Sequence, residues 1–187
     1  MHIKRYEMQV ETFSYSIQNG WSVPCFPDLN SPQTMVLIFA APEIAKDCNP
    51  LKELSQHFNQ SHIIGCSSAG EINGSLIFDN TMSIAVVRFD KTELKVVKAE
   101  VLPGQDSLVT GECITNQLRS PDLRGIMVLS DGLQVNGSQL VKGLNSINDD
   151  EIVITGGLAG DGDRFGETWT IFEGEIVRNH VVAIGFY

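Results

Sequence analysis

Basic residues are scarce in this sequence. Its 187 residues include 13 lysines and arginines against 23 aspartates and glutamates, which gives a formal net charge of −10. A negative field of this kind repels phosphate backbones and anionic membrane surfaces, and no basic cluster in the sequence offsets it locally. We therefore expect no nucleic acid and no anionic membrane surface among the partners of this chain.

Long hydrophobic runs and paired cysteines are lacking as well. The longest strongly apolar stretch, Met35–Pro42, is far shorter than the roughly 20 residues that a membrane-spanning helix needs, so we expect no membrane insertion. The four cysteines, Cys25, Cys48, Cys66 and Cys113, form neither a CxxC pair nor a zinc-finger spacing with histidine. Reduced thiols are typical of a cytoplasmic protein, which is the location we expect.

Common nucleotide and calcium motifs are incomplete. Gly65 and Gly70 have the spacing of a phosphate-binding loop, but Glu71 stands where that motif requires lysine. The dinucleotide pattern G-x-G-x-x-G is absent. A calcium loop starting at Asp161 would place phenylalanine at two ligand positions, so the sequence predicts no metal and no nucleotide cofactor.

Two segments of the chain follow the same plan. In each, an apolar run precedes a helix-like stretch and then a glycine-rich turn that closes with an acid. A shift of 91 residues places Gly65 on Gly156, and deletion of one serine then aligns Glu71 with Asp161. Such repetition is typical of an internally duplicated α/β domain, although any two β-α-β units share part of this spacing.

The chain as a whole predicts a single α/β domain of mixed α+β type. Mixed sheets flanked by helices would be built from two pseudo-repeated β-α-β-plus-hairpin units. Residues 1–33 would form an N-terminal segment, residues 34–100 the first unit, and residues 101–187 a connecting helix and the second unit. The last strand, Val181–Tyr187, is still apolar where it stops, and we expect the natural protein to continue beyond it.

Local patterns predict the individual elements. Asn49-Pro50 is typical of a helix start, and continuous apolar runs predict strands covered on both faces. Three successive short strands, Ser75–Phe78, Met82–Phe89 and Leu94–Glu100, predict a meander. The other expected elements are helices Ser107–Leu118 and Ser138–Ile147, strands Met35–Ala41, Ile63–Ile64, Gly125–Ser130 and Glu151–Thr155, and a hairpin of Glu167–Phe172 with Glu175–Arg178.

The glycine-rich turns are the candidate ligand site. Small residues at a strand end let backbone amides approach a ligand, because no Cβ shields them and a positive φ costs little. The amides could hold a carboxylate, and the acids that close the turns could receive an ammonium group. Alternatively, the small residues serve tight packing and the acids cap the turns. The candidate ligand-binding residues are Gly65, Cys66, Ser67, Ser68, Gly70, Glu71, Gly156, Gly157, Gly160 and Asp161.

A nucleophile after the first strand is another hypothesis. Cys66, Ser67 and Ser68 follow a strand, but Ala69 occupies the last glycine position of a G-x-S-x-G elbow around Ser67. His57, His62 and His180 are possible bases, and Asp131 is a possible orienting acid, yet no spacing connects them. A small buried role for Cys66 competes with a hydrolase or transferase role.

The two turn segments carry a family resemblance. GCSSAGEI at Gly65–Ile72 and TGGLAGDG at Thr155–Gly162 resemble the two signature segments of the FIST N-terminal domain, named for F-box and intracellular signal transduction proteins. LIFAAPE before the first segment, IMVLSDG before the second and VVAIGFY at the end also match the family in order. The resemblance covers roughly Thr34–Tyr187.

The resemblance implies an intracellular sensory domain, bacterial in type, that binds a small ligand such as an amino acid or another small carboxylate. It also implies a signalling partner, such as a histidine kinase or chemotaxis component, and a FIST C-like domain in cis. No FIST C-like segment is visible in this sequence. Some members of the family are haem-dependent nitric-oxide sensors that regulate a histidine kinase or a cyclic-di-GMP pathway, so haem is the alternative ligand.

Overall fold

The computed structural model describes residues 8–102, 106–147 and 152–187 of the chain. Within these ranges it contains two larger sheets, a small separate hairpin and three α-helices. The helices are α1 (Asn49–His57), α2 (Ser107–Leu118) and α3 (Gly137–Leu144). Short 3-10 helices span Pro42–Lys46 and Asn145–Ile147.

The strands are numbered in chain order. Those before α2 are β1 (Gln9–Ser16), β2 (Gly20–Trp21), β3 (Thr34–Ala40), β4 (His62–Ser67), β5 (Glu71–Asn73), β6 (Leu76–Phe78), β7 (Thr81–Arg88) and β8 (Leu94–Glu100). Those after α2 are β9 (Gly125–Ser130), β10 (Val153–Leu158), β11 (Thr170–Phe172), β12 (Glu175–Val177) and β13 (His180–Phe186).

The two larger sheets face each other between layers of helix. One core lies between α1 and the outer face of the sheet that contains β3, and a second lies between the α2–α3 pair and the sheet that contains β9. A third core, with Met35, Ile64, Val182 and Ile184, fills the space between the sheets. Because these strands are covered on both faces, they read as continuous apolar runs.

The strand order is similar in the two sheets. The larger sheet has the order β12-β11-β4-β3-β7-β1-β2, and the smaller has the order β10-β9-β13-β8. In each, a parallel pair joined through a helix, β3–β4 or β9–β10, lies beside an antiparallel strand, β7 or β13. The sequence β4-β3-β7-β1 thus corresponds in topology to β10-β9-β13-β8. Duplication of the sequence stays a prediction.

Two hairpins of the same design accompany the sheets. Each has two three-residue strands and a two-residue loop, and positive φ angles at Gly74, Glu173 and Gly174 suit such tight loops. The hairpin β11–β12 pairs with β4 and extends the larger sheet. The hairpin β5–β6 forms a two-stranded sheet of its own.

The mixed α/β fold expected from the sequence is confirmed, with two details corrected. The predicted meander is wrong, because β6, β7 and β8 pair with strands of three different sheets rather than with one another. The predicted glycine turns begin too early: Gly65, Cys66 and Ser67 belong to β4, and Gly156 and Gly157 belong to β10. Turns start only after Ser67 and after Leu158.

Candidate functional site

The segments that follow β4 and β10 meet in space. The backbone N–H of Gly160 donates to the carbonyl of Ser67 at 3.0 Å. A Cβ at Gly160 would lie 3.5 Å from the nitrogen of Ala69, so the two segments are in van der Waals contact. Beside this contact lies a cleft of about 380 Å³, which we call the turn cleft. Its lining residues are Ala41, Pro42, Glu43, Ser68, Ala69, Gly70, Glu71, Asp79, Asn80, Asp161, Gly162, Asp163 and Arg164.

The ten candidate residues separate into three groups. Ser68, Gly70, Glu71 and Asp161 line the turn cleft, and Gly160 forms the contact beside it. Three others, Gly65, Cys66 and Ser67, are buried within β4. The last two, Gly156 and Gly157, line a different hollow of about 560 Å³ between β10 and α3.

Glu71 lies at the base of the β5–β6 hairpin and is used by the protein itself. Only 1% of the residue is exposed, and its carboxylate accepts hydrogen bonds from the hydroxyls of Ser68 at 2.7 Å and Thr81 at 2.9 Å. The backbone N–H of Thr81 also donates to it, at 3.3 Å. Burial raises the pKa of this carboxyl, while these donors act in the opposite direction. Glu71 therefore links the two ends of its hairpin.

Asp161 organises the loop after β10. The residue is 4% exposed, and one carboxylate oxygen accepts from the backbone N–H groups of Gly166 at 2.6 Å and Glu167 at 3.0 Å. These bonds hold the pKa of Asp161 below its ordinary value of 3.8. Because both buried acids already have protein partners, the structure favours the capping role that the sequence left open for them.

Charged side chains at the rim of the turn cleft were missed by sequence reasoning. Arg164 forms an ion pair with Glu43, and its Nε donates to the carbonyl of Asp161 at 2.7 Å. The hydrogen bond from Arg164 lowers the pKa of Glu43. The cleft is lined by the guanidinium of Arg164 and by five carboxyl groups, those of Glu43, Glu71, Asp79, Asp161 and Asp163. Glu43 follows β3, and Ser68 follows β4, which is the parallel neighbour of β3. The carboxyl ends of parallel neighbouring strands meet at one edge of the sheet, and this was the signal from which Glu43 could have been found.

The glycines within the strands are required by packing. A Cβ at Gly65 would lie 2.2 Å from the carbonyl oxygen of Ile38, its neighbour on β3. A Cβ at Gly156 would lie 1.8 Å from the carbonyl oxygen of Val128, its neighbour on β9. These two positions are equivalent in topology, and at both the absence of a side chain lets adjacent backbones approach.

Cys66 and Ser67, two of the candidate nucleophiles, do not fit that role. Cys66 is buried, and burial raises the pKa of its thiol to about 12, so the thiolate is scarce at neutral pH. The hydroxyl of Ser67 is buried and accepts from the backbone N–H of Trp169 at 3.2 Å. Asp131, the possible orienting acid, accepts from the N–H groups of Leu133 and Gln134 and so caps its own turn.

Haem would need an axial ligand in an apolar pocket. Among the described residues, His62 is bonded to Glu173 at 2.9 Å, and rings of His57 and His180 contact the carbonyl oxygens of Pro27 and Arg178. A hollow of about 810 Å³ between α1 and the β11–β12 hairpin is lined by none of these three histidines. Each of the three described histidines thus already has a protein partner.

The fold and the turn cleft define a mixed α/β domain with a small polar cleft where strand-end segments meet. The family model for the FIST N domain matches residues 34–187, and the chain belongs to this family. The family is one of sensory domains in signal transduction. No curated protein matches the chain. None of the helices in the described ranges has the length and apolar character to cross a membrane.

Proposed function

We propose that this domain senses a small amine-bearing metabolite, most simply an amino acid, in the turn cleft. The observation that carries the proposal is the meeting of the two signature segments beside a cleft that contains both acidic groups and one guanidinium. A cleft of about 380 Å³ is within the lower range of small-ligand sites.

The charges of the cleft favour an ammonium group over a simple carboxylate. Five carboxyl groups face one guanidinium, so a dicarboxylate would meet net repulsion while an ammonium group would meet net attraction. Arg164 gives the site one position for a carboxylate, because its exposed ion pair with Glu43 can be exchanged for a pair with the ligand. Asp79 and Asp163 at the rim are the groups that we assign to the ammonium.

The sensory output would be a change in contact with another protein. Ligand binding shifts the population of whichever conformation it prefers, and a signalling protein such as a histidine kinase or chemotaxis component would read that shift. A FIST C-like domain in cis is the other partner that we propose. Both proposals rest on family membership rather than on a described surface.

Isothermal titration tests the ligand. We expect basic and neutral L-amino acids to bind more tightly than succinate or malate. We expect Arg164→Gln to weaken amino-acid binding about tenfold or more, because it removes a charge-assisted hydrogen bond worth ~1.5–3 kcal/mol. Arg119→Gln is the matched control, since Arg119 contacts the carbonyl of Ser146 outside the cleft. Equal affinity for all these compounds, or binding that Arg164→Gln leaves unchanged, would overturn the assignment of the cleft.

A further inference from the structure

The strands β4 and β10 hold corresponding positions in the two sheets, and the outer edge of β4 is covered by a hairpin. The strand β11 pairs with β4, so that Thr170, Ile171 and Phe172 lie opposite Cys66, Gly65 and Ile64. Ile171 is 0% exposed, and its Cδ1 would lie 3.0 Å from a Cβ placed on Gly65. With its hairpin partner Ile176, this side chain joins the core beneath α1. Ile171 therefore closes the corner between the β4 edge and the helix.

The corresponding edge in the other sheet is open. The strand β10 pairs with β9 and with no other strand of the described ranges. Its sequence has neither proline nor charge, the usual protections of a free edge. The hollow between β10 and α3 is largely apolar, with Val128, Leu140, Val141, Ile154 and Leu158 among its lining residues.

The corresponding hairpin is also uncovered. Ile72 holds the position in β5 that Ile171 holds in β11, and it is 65% exposed. Its neighbour Ile77 corresponds to Ile176 and is exposed too. An isolated two-stranded hairpin is marginally stable in water, so an apolar hairpin of this kind gains from a sheet edge. An open edge with an apolar hollow and an exposed apolar hairpin thus occur in the same chain.

We propose that the β5–β6 hairpin closes onto β10, with Ile72 and Ile77 entering the hollow beside α3. The register follows from the pairing of β11 with β4 and from the correspondence of Gly65 with Gly156. It places β5 antiparallel to β10, with Ile72 opposite Gly156 and Asn73 opposite Thr155. The occupant of the edge is this segment of the same chain.

The start of this pairing is already present. The N–H of Gly160, two residues after β10, donates to the carbonyl of Ser67, four residues before Glu71. If the segments that follow Ser67 and precede Gly160 pair in antiparallel fashion from that hydrogen bond, a one-residue bulge brings them into the proposed register. The strand β5 also packs against β7, as β11 packs against β13. Closure would therefore begin from this contact, with a rearrangement of the backbone about Ser68–Gly70.

A second copy is a poorer occupant than the chain's own hairpin. Two copies would each carry a formal charge of −10, which opposes their association, whereas the hairpin of the same chain is tethered near the end of β10 by the contact of Gly160 with Ser67. Closure would also reshape the turn cleft, because Gly70, Glu71, Asp79 and Asn80 at the hairpin base line it. The closure itself does not rest on the proposed amino-acid ligand.

Disulfide trapping tests the closure. In a background with Cys25, Cys48 and Cys113 changed to serine, the pair Asn73→Cys with Thr155→Cys is oxidised by copper phenanthroline. In the proposed register the two Cα atoms lie about 4.5–5.5 Å apart, within reach of a disulfide. The control pair is Leu76→Cys with Thr155→Cys, because Leu76 lies opposite Asn73 on β6 and thus one strand further from β10. We expect the first pair to cross-link within a monomer at least tenfold faster than the control.

Three outcomes would overturn the proposal. A cross-link between chains would assign the edge to a second copy. Equal rates for the two pairs would indicate a mobile hairpin without a fixed register. The third outcome is the absence of any cross-link.

A second measurement avoids cysteine substitution. We expect Ile72→Asp to increase amide hydrogen exchange of residues 153–158 at least severalfold, while Leu102→Asp, at another exposed apolar position, leaves it unchanged. Unchanged exchange in Ile72→Asp would contradict closure.

Discussion

The edges β4 and β10 end the corresponding halves of two sheets with the same strand order, yet only β4 carries a hairpin. The difference follows from the connections. The segment between β10 and β11 contains 11 residues, 159–169, and crosses to the other sheet. The segment between β4 and β5 contains three, 68–70, and keeps its hairpin close to the strand that precedes it. The longer connection lets β11 pair with β4, whereas the shorter one leaves the β5–β6 hairpin packed against β7 in this structure.

Truncation of the two equivalent isoleucines gives the largest difference between the hairpins. We expect Ile171→Ala to lower the free energy of unfolding by about 2–5 kcal/mol, because it leaves a cavity in a filled core. Ile72→Ala should cost less than about 1 kcal/mol, because Ile72 is mostly exposed here and loss of its closure onto β10 leaves the rest of the fold intact. Urea denaturation of both variants measures the difference. Equal costs would contradict the difference between the β11–β12 hairpin, which is part of the larger sheet, and the β5–β6 hairpin, which is not.

Gly65 tests how closely the backbones of β3 and β4 approach each other. We expect Gly65→Ala to cost about 1–3 kcal/mol, because the new methyl group meets the carbonyl oxygen of Ile38 inside the sheet. Gly157→Ala is the control, since a Cβ at Gly157 has no atom within 4 Å. Thermal and urea unfolding would show the contrast. A harmless Gly65→Ala would contradict the close approach of β3 and β4.

The comparison also shows what the sequence could reveal. Helix α2 was predicted with its observed bounds. Its start is determined locally, because Asp106 caps the helix by accepting a hydrogen bond from the N–H of Leu108. Gly65 and Gly156 were interpreted as turn residues, because their role depends on the adjacent strands and not on neighbours in sequence. Pairing of β8 with β13 likewise depends on tertiary contacts.

The candidate site was predictable in part for the same reason. Ser68, Glu71 and Asp161 were found because they lie in or beside recognisable turns. Glu43 and Arg164 were not, because the ion pair joins residues 121 positions apart and neither belongs to a motif. Long-range pairs of this kind appear only once the fold brings strand ends together.

Asp161 and Glu71 differ in the direction of their pH dependence. The folded-state pKa of Asp161 is lowered, so its contribution to stability is present above pH 3.8 and is lost as the pH falls through the folded value. We expect Asp161→Asn to cost about 1–3 kcal/mol at pH 7, through weaker bonds to the N–H groups of Gly166 and Glu167. Urea unfolding at pH 7 and at pH 3 measures it, with Asp163→Asn as the control, and a cost that is equal at both pH values would contradict the assignment.

Glu71 gives the smallest effect and the opposite sign. The folded-state pKa of Glu71 is raised above the ordinary 4.5, so the folded chain holds the proton more tightly than the unfolded chain does. Stability therefore falls as the pH rises from 4.5 through the folded-state pKa. We expect Glu71→Gln to remove this slope while it keeps an acceptor for Thr81. Stability of both proteins between pH 4 and pH 7 is the measurement. An unchanged slope in the variant would assign the titration to another group.

We propose above that the segments after β4 and β10 form one ligand site. The most direct test is a titration of the ¹⁵N-labelled domain with L-lysine, followed through the backbone amide resonances. If both segments hold the ligand, resonances of residues 68–71 and 161–164 shift together, with one common binding curve. Shifts confined to one segment, or to the hollow between β10 and α3, would contradict it.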